Sequence, residues 1–213
     1  VYPTTSDNLG SSRALYITFA NNNFTGPIPA SIGKAPFLLE ILLLNNQLSG
    51  CLPYEIGFLM NLTVFDAGDN ILTGTIPYSF ACLQKIEFLN LANNMFYGEV
   101  PESVCMLPNL RNLSLSGNFF TQIGPECRKL MYQKRLDVRR NCIIDQADQR
   151  SKAECAAFYS RRYICQKAKY MKLIPCKNAD YHSNSSMAEM NKKVKKANPP
   201  SPVSYGALSP NRL

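Results

Sequence analysis

Eight cysteines are the residues of this chain best suited to chemistry: Cys51, Cys82, Cys105, Cys127, Cys142, Cys155, Cys165 and Cys176. An even number, five of them from residue 127 onward, reads as disulfides formed in an oxidising compartment. Zinc would need another pattern. No C-x-x-C pair occurs and the single histidine, His182, stands in a polar stretch, so neither a metal nor another cofactor is expected. Four N-x-S/T sequons, at Asn23, Asn61, Asn112 and Asn184, offer acceptors for N-linked sugar and agree with secretion. Catalysis finds little footing. Residues 1–181 contain no histidine, and no carboxylate pair has a spacing that demands acid–base work. The chain is therefore expected not to be an enzyme and to have no catalytic residues.

These residues are positioned by a phrase repeated in a fixed metre. It reads FANNNFTGPIP, LLNNQLSGCLP, AGDNILTGTIP, LANNMFYGEVP and LSGNFFTQIGP, starting at Phe19, Leu43, Ala67, Leu91 and Leu115. Asparagine recurs at Asn22, Asn46, Asn70, Asn94 and Asn118, always 24 residues apart. The form L-x-L-x-x-N-x-L at this period marks a leucine-rich repeat solenoid. Each turn should add a short strand, such as 41–43, to a parallel sheet on the inner curve, with neighbours about 4.8 Å apart. Residues facing inward are buried only by the adjacent turns. The Asn amide is expected to satisfy backbone groups of its own or the next turn, where the chain leaves the strand. Gly26, Gly50, Gly74 and Gly98 permit the following bend, and prolines at 29, 53, 77, 101 and 125 stiffen an irregular or 3-10 outer wall.

The metre divides the chain. Residues 1–13 read as the tail of an upstream repeat, and the opening Val1-Tyr2-Pro3, with no initiator Met, suggests a fragment or a mature form. Residues 14–141 hold the repeats, with strands expected at 16–19, 40–43, 64–67, 88–91, 112–115 and a shorter 135–138. Residues 142–176 read as a cysteine-rich C-terminal cap, in which Ser151-Lys152-Ala153-Glu154 has the spacing of a helix capping box. Cys82 and Cys105 lie at nearly equivalent outer-wall places, which favours a bridge between them. Cys142, Cys155, Cys165 and Cys176 are then expected to staple the cap to the last coil, although spacing alone does not fix connectivity. Residues 177–213 read as a disordered, basic, proline-containing tail.

Charge follows the same division. Residues 1–126 hold 4 Lys/Arg and 9 Asp/Glu, net −5, whereas residues 127–213 are net +13. A solvated basic tail explains this; so does contact with a polyanion such as pectin. The run Lys192-Lys193-Val194-Lys195-Lys196 would be read as a nuclear signal only in a chain that is not secreted, so nucleic acid is not an expected partner. No apolar run reaches membrane-spanning length, which also counts against a receptor ectodomain.

The stretches LLLNNQLSGCLPYEIG (42–57), NLTVFD (61–66), VCMLPNL (104–110), and RNC followed by QRSKAECAAF (149–158) resemble the repeat domain of the plant leucine-rich repeat extensins. Over residues 9–176 the chain is most similar to the shorter relatives without the extensin stalk, since only isolated Ser201-Pro202 and Ser209-Pro210 stand where the stalk has proline runs. The resemblance implies a glycoprotein secreted to the cell wall. It also implies pairing as a homodimer and binding of small basic cysteine-rich peptides of the rapid alkalinization factor type. The family's N-terminal repeats and cysteine cap are absent, so a truncated member without function is one alternative. An inhibitor of wall-degrading pectinases, a role similar repeats serve, is another.

Two-residue alternation picks out the side chains on the inner curve. Tyr16, Leu42, Leu44, Val64 and Phe88 are apolar where solvent is expected, and Glu40, Asp66, Asp69 and Asn90 stand among them. An exposed apolar patch rimmed by carboxylates suits a basic peptide with hydrophobic anchors. The same carboxylates have no nucleophile or metal ligand beside them, which leaves an acid–base role without partners. Asn112 puts a sequon on this face.

Overall fold

The computed structural model describes residues 9–161, 165 and 170–177. Lys177, the first residue of the expected tail 177–213, ends a 3-10 turn, Pro175–Lys177, because the neighbouring Cys176 is bridged to Cys82; the rest of that tail, with His182 and the Asn184 sequon, lies outside the described residues.

Each of the first five coils contributes two strands. These are β1 Tyr16–Thr18 and β2 Thr25–Gly26, β3 Glu40–Leu42 and β4 Gln47–Cys51, β5 Val64–Asp66 and β6 Ile71–Gly74. They continue as β7 Phe88–Asn90 and β8 Met95–Glu99, then β9 Asn112–Ser114 and β10 Phe119–Gln122; the sixth coil has β11 Leu136–Asp137. The first strands of the coils form a six-stranded parallel sheet in the order β1-β3-β5-β7-β9-β11 on the inner curve. Its centres, Ile41, Phe65, Leu89 and Leu113, pair in register and are buried, so each stacks on the same position of the next coil. The strands end one residue earlier than expected in the first five coils, where the carbonyls of Leu43, Ala67 and Leu91 accept from the side-chain amides of the repeated asparagines.

The second sheet, β10-β8-β6-β4-β2, is a feature the sequence reading missed. It starts immediately after the repeated asparagine. Its one inward residue per coil, Leu48, Leu72, Phe96 or Phe120, is fully buried. The asparagine joins the two sheets. Asn94 Oδ1 accepts from Leu72 N at 2.9 Å, and its Nδ2 donates to Ala67 O (2.9 Å), Ala92 O (3.0 Å) and Leu91 O (3.3 Å). Asn46, Asn70, Asn118 and Asn141 make the corresponding bonds, so the asparagines stand in one column. They bond within their own coil, as expected, and tie it to the coil before it, where the expected link between coils ran to the one after. A carbonyl such as Leu91 O thus accepts from its own coil's Asn94 and from Asn118 of the next.

The wall is built of 3-10 segments, Ala30–Lys34, Tyr54–Phe58 and Tyr78–Cys82, then two helices, α1 Glu102–Cys105 and α2 Pro125–Tyr132. Neighbouring wall segments touch backbone to backbone: a Cβ on Gly57 would lie 2.3 Å from Ser79 O. That contact explains the cysteines. Gly57, Ala81 and Cys105 are equivalent and face the next coil, so Cys105 meets Cys127 of α2. Cys82 is one place further round, with Phe58 and Met106, and faces outward. The expected Cys82–Cys105 bridge is therefore not formed.

Cys82 instead joins Cys176, and Cys51 joins Cys165. Only Cys142–Cys155 holds the cap to the last coil, contrary to the expectation for all four late cysteines. The capping box forms as read, with Ser151 and Glu154 bonding reciprocally at the start of α3 Lys152–Tyr159. Phe158 of α3 stacks on Phe119 of β10 at 3.7 Å between ring centroids. Beyond α3, Cys165 and residues 170–177 lie against coils 2 and 3 as a strap. There Tyr170 stacks on Tyr54, and Tyr78 N donates to Met171 O at 2.7 Å. Gly74 makes room for it: a Cβ there would stand 2.5 Å from Cys165 Sγ.

Candidate ligand-binding face

Parallel register fixes which candidate residues meet. Tyr16, Glu40, Val64, Phe88 and Asn112 are successive cross-strand partners in one row of the inner sheet. Thr18, Leu42, Asp66, Asn90 and Ser114 form the adjacent row. Three strand spacings put Tyr16 about 14 Å from Phe88. Leu44 and Asp69 lie beyond the strand ends, on the turns that lead to the asparagine column. The apolar patch is uneven. Tyr16 and Phe88 are 44% and 46% exposed, while Leu42, Leu44 and Val64 between them are half-buried. The aromatic rings are the exposed apolar groups of this face; the aliphatic residues are its floor.

The polar residues are partly committed to one another. Asp66 Oδ1 accepts from Gly68 N (3.1 Å) and from Asn90 Nδ2 (2.9 Å), and Asn90 Oδ1 in turn accepts from Ala92 N (3.0 Å). A second chain of amides runs beside it: Asn45 donates to Asn21, and Asn93 to Asp69. Asn21, Asn45, Asp69 and Asn93 all have left-handed backbone, with φ from 53° to 57°, a conformation that Asn and Asp tolerate best among side-chain-bearing residues. Glu40 completes the acidic rim.

Burial holds the Asp66 carboxyl above its ordinary range, the two hydrogen bonds oppose this, and the nearby Asp69 charge adds to the rise. The sign for binding follows. Asp66 loses its charge at a higher pH than a free carboxylate does, so affinity for a cationic ligand is expected to fall as pH drops through that raised pKa. For stability the sign is reversed, because a raised carboxyl pKa favours the fold at low pH and loses that contribution as pH rises through it. Asp66→Asn, which keeps the acceptor oxygen, is therefore expected to flatten the pH dependence of binding without destabilising the neutral protein. Binding measured against pH checks this; an unchanged profile in the variant removes Asp66 from the site.

The far end of the face has another character. Arg139 grips Asp137 through Nε and Nη2 at 3.0 and 2.7 Å, which lowers the Asp137 pKa. Arg150 donates to Asn118 O and Gly117 O and lies 4.3 Å from the Phe119 ring, sealing the last coils. Sequence reading did not single out Arg150, and only its place before the capping box hinted at it. Among the described residues no group of three or more His, Cys, Asp or Glu is placed to hold a metal, and no helix is long and apolar enough to cross a membrane.

Comparison with known proteins agrees with this geometry. The Leucine Rich Repeat family model matches residues 61–83, 85–107 and 109–130. No curated protein matches the chain. The Arabidopsis receptor kinase HAESA, solved in complex with the peptide hormone IDA and the co-receptor SERK1, is 31% identical with a TM-score of 0.61 over 68% of this chain and 24% of that one. The plant peptide hormone receptor RGFR1 in complex with RGF2 is 29% identical with a TM-score of 0.60 over 65% of this chain and 22% of that one. A plant ice-binding protein is 26% identical with a TM-score of 0.57 over 65% and 45%. The chain thus spans about a quarter of the length of the two receptors. It is a plant-type leucine-rich repeat solenoid that resembles the ectodomains of plant receptor kinases.

Proposed function

We propose that this plant-type solenoid is an extracellular binding module whose inner curve takes a small basic peptide across coils 1 to 4. The observation that carries the reading is the in-register row Tyr16, Glu40, Val64, Phe88. It offers two exposed aromatic rings about 14 Å apart, with Glu40 between them and Asp66 in the next row. Aromatic anchors supply affinity, and the carboxylates select cationic partners. The likeness to receptors solved with peptide hormones supports a peptide as ligand. Four disulfides support an oxidising, extracellular setting. The finer kinship, with stalkless relatives of the leucine-rich repeat extensins, rests on GCLP at 50–53 and the cysteine placements, and makes a cysteine-rich alkalinization-type peptide the ligand of choice.

The test is a calorimetric titration of the purified full chain with such a peptide. Phe88→Ala and Tyr16→Ala are each expected to weaken binding about tenfold, the scale of an interface anchor. Tyr132→Ala removes an exposed ring 85% accessible on the outer wall and is expected to leave affinity unchanged. Equal losses in all three variants, or none, would reject the inner curve as the binding surface. Binding of a polygalacturonase with no binding of the peptide would move the reading to pectinase inhibition.

A further inference from the structure

The described sequons differ in what the fold has done with their amides. Asn61 is half-buried, donates from Nδ2 to Pro36 O at 3.1 Å and accepts at Oδ1 from Lys85 Nζ at 2.9 Å. Asn23 is exposed, and among the described residues its side chain accepts one hydrogen bond, at Oδ1 from Gln47 Nε2 at 3.4 Å. Asn112 is exposed on the inner sheet, directly opposite Phe88, and its side chain only accepts, from Ser114 Oγ at 3.0 Å. Neither Asn23 nor Asn112 uses its Nδ2 in a hydrogen bond among the described residues.

We propose that Asn112 carries an N-linked oligosaccharide and that this sugar closes the ligand groove at the fifth coil. In the transfer, Asn112 Nδ2 forms a bond to C1 of a sugar held on a lipid diphosphate. The C1–O bond to the diphosphate breaks, the diphosphate leaves with the electron pair, and the amide releases one proton to solvent. The folded protein accommodates the product without losing a bond, because that nitrogen is uncommitted and on the surface. Asn61 is the contrast: its half-buried amide is held at both ends, Nδ2 against Pro36 O and Oδ1 by Lys85, so a sugar there has to fit between those contacts. A glycan on Asn112 stands one strand from Phe88, about 5 Å across the sheet. It therefore ends the row of anchors and separates coils 1 to 4 from the arginine-bearing sixth coil. This limit on the ligand rests on the proposed peptide reading; the sugar itself does not.

The full chain, secreted from cultured plant cells, is treated with a glycan-releasing amidase in heavy-oxygen water, which turns each glycosylated Asn into a labelled Asp. Peptide mass spectrometry is expected to find the label at Asn112 and Asn23 and not at Asn61. Label absent from Asn112 overturns the proposal. Hydroxyl-radical footprinting tests the position of the sugar without any ligand. Asn112→Gln, and independently Ser114→Ala, which spares Asn112 but removes the sequon, should raise Phe88 oxidation about twofold by taking away a bulky cover, with Tyr16 unchanged. Phe88 oxidation equal in glycosylated and unglycosylated protein overturns the groove limit. With the peptide, Asn112→Gln is expected to tighten binding about threefold, which is under 1 kcal/mol at 1.4 kcal/mol per tenfold. Loss of peptide binding from every form, with Asn112 labelled and Phe88 protected, sinks the peptide reading and leaves the sugar in place.

Discussion

Asn118→Ala is expected to lower the unfolding free energy by about 3–4 kcal/mol. Asn118 is fully buried, accepts from Phe96 N at 3.0 Å and donates to Leu91 O, Leu115 O and Ser116 O. The three carbonyls do not share the loss equally. Leu91 O and Leu115 O keep a second donor, from Asn94 and Asn141. Phe96 N–H keeps none, and a buried unpaired donor accounts for the largest part of the penalty. Asn22→Ala is the control. Asn22 is exposed and donates only to Phe19 O and Ala20 O of its own coil, so its removal should cost less than about 1 kcal/mol. Asn118→Asp separates hydrogen bonding from volume: it can still accept from Phe96 N, but it turns a negative charge toward three carbonyl oxygens. Its buried carboxyl must have a raised pKa, so this variant should gain stability as pH falls through that value. Urea midpoints for the three variants decide the matter, and equal midpoints for Asn118→Ala and Asn22→Ala would show that the column carries no load.

That column was also the most legible part of the sequence, and the reason is physical. A solenoid repeats its environment every turn, so one requirement appears at Asn22, Asn46, Asn70, Asn94 and Asn118 and reinforces itself against chance. The inner strands were legible for the same reason, to within one residue at most ends. The second sheet was not, because each strand buries a single side chain and is flanked by residues such as Ser49, Thr73 and Tyr97 that alternate too briefly to show a period. The capping box at Ser151 was readable because its bonds are local. Bridges were not: whether Cys82 or Cys105 faces the next coil depends on one residue's rotation round the wall. Alternation put Tyr16, Glu40, Val64 and Phe88 in one row and Leu42, Asp66 and Asn90 in the next, which is their register in the sheet, but alternation does not grade exposure. It could not tell the open rings of Tyr16 and Phe88 from the half-buried Leu42 and Val64.

The strap is where the sequence was least informative and where the second large effect is expected. Replacing Cys51, Cys82, Cys165 and Cys176 together by serine removes bridges across 114 and 94 residues. Each is worth about 4 kcal/mol as constraint on the unfolded chain, once the loops are shortened by the bridges that remain. The pair approaches 8 kcal/mol on that model, within the 5–15 kcal/mol that stabilises a typical domain. Removing Cys105–Cys127, which closes only 22 residues, should cost about 3 kcal/mol. Two mechanisms compete for the larger figure. If the strap clamps the coils, the quadruple variant lowers the urea midpoint of the whole solenoid, and every core amide exchanges faster. If it is a passive appendage, it peels away alone: the midpoint holds, and only amides such as Tyr78 N, bonded to Met171 O, lose protection. The clamp is the expected outcome. Met171 is buried against the wall, Cys165 Sγ occupies the space above Gly74, and Tyr170 covers Tyr54, so detachment uncovers the flank of coils 2 and 3 and not merely the strap.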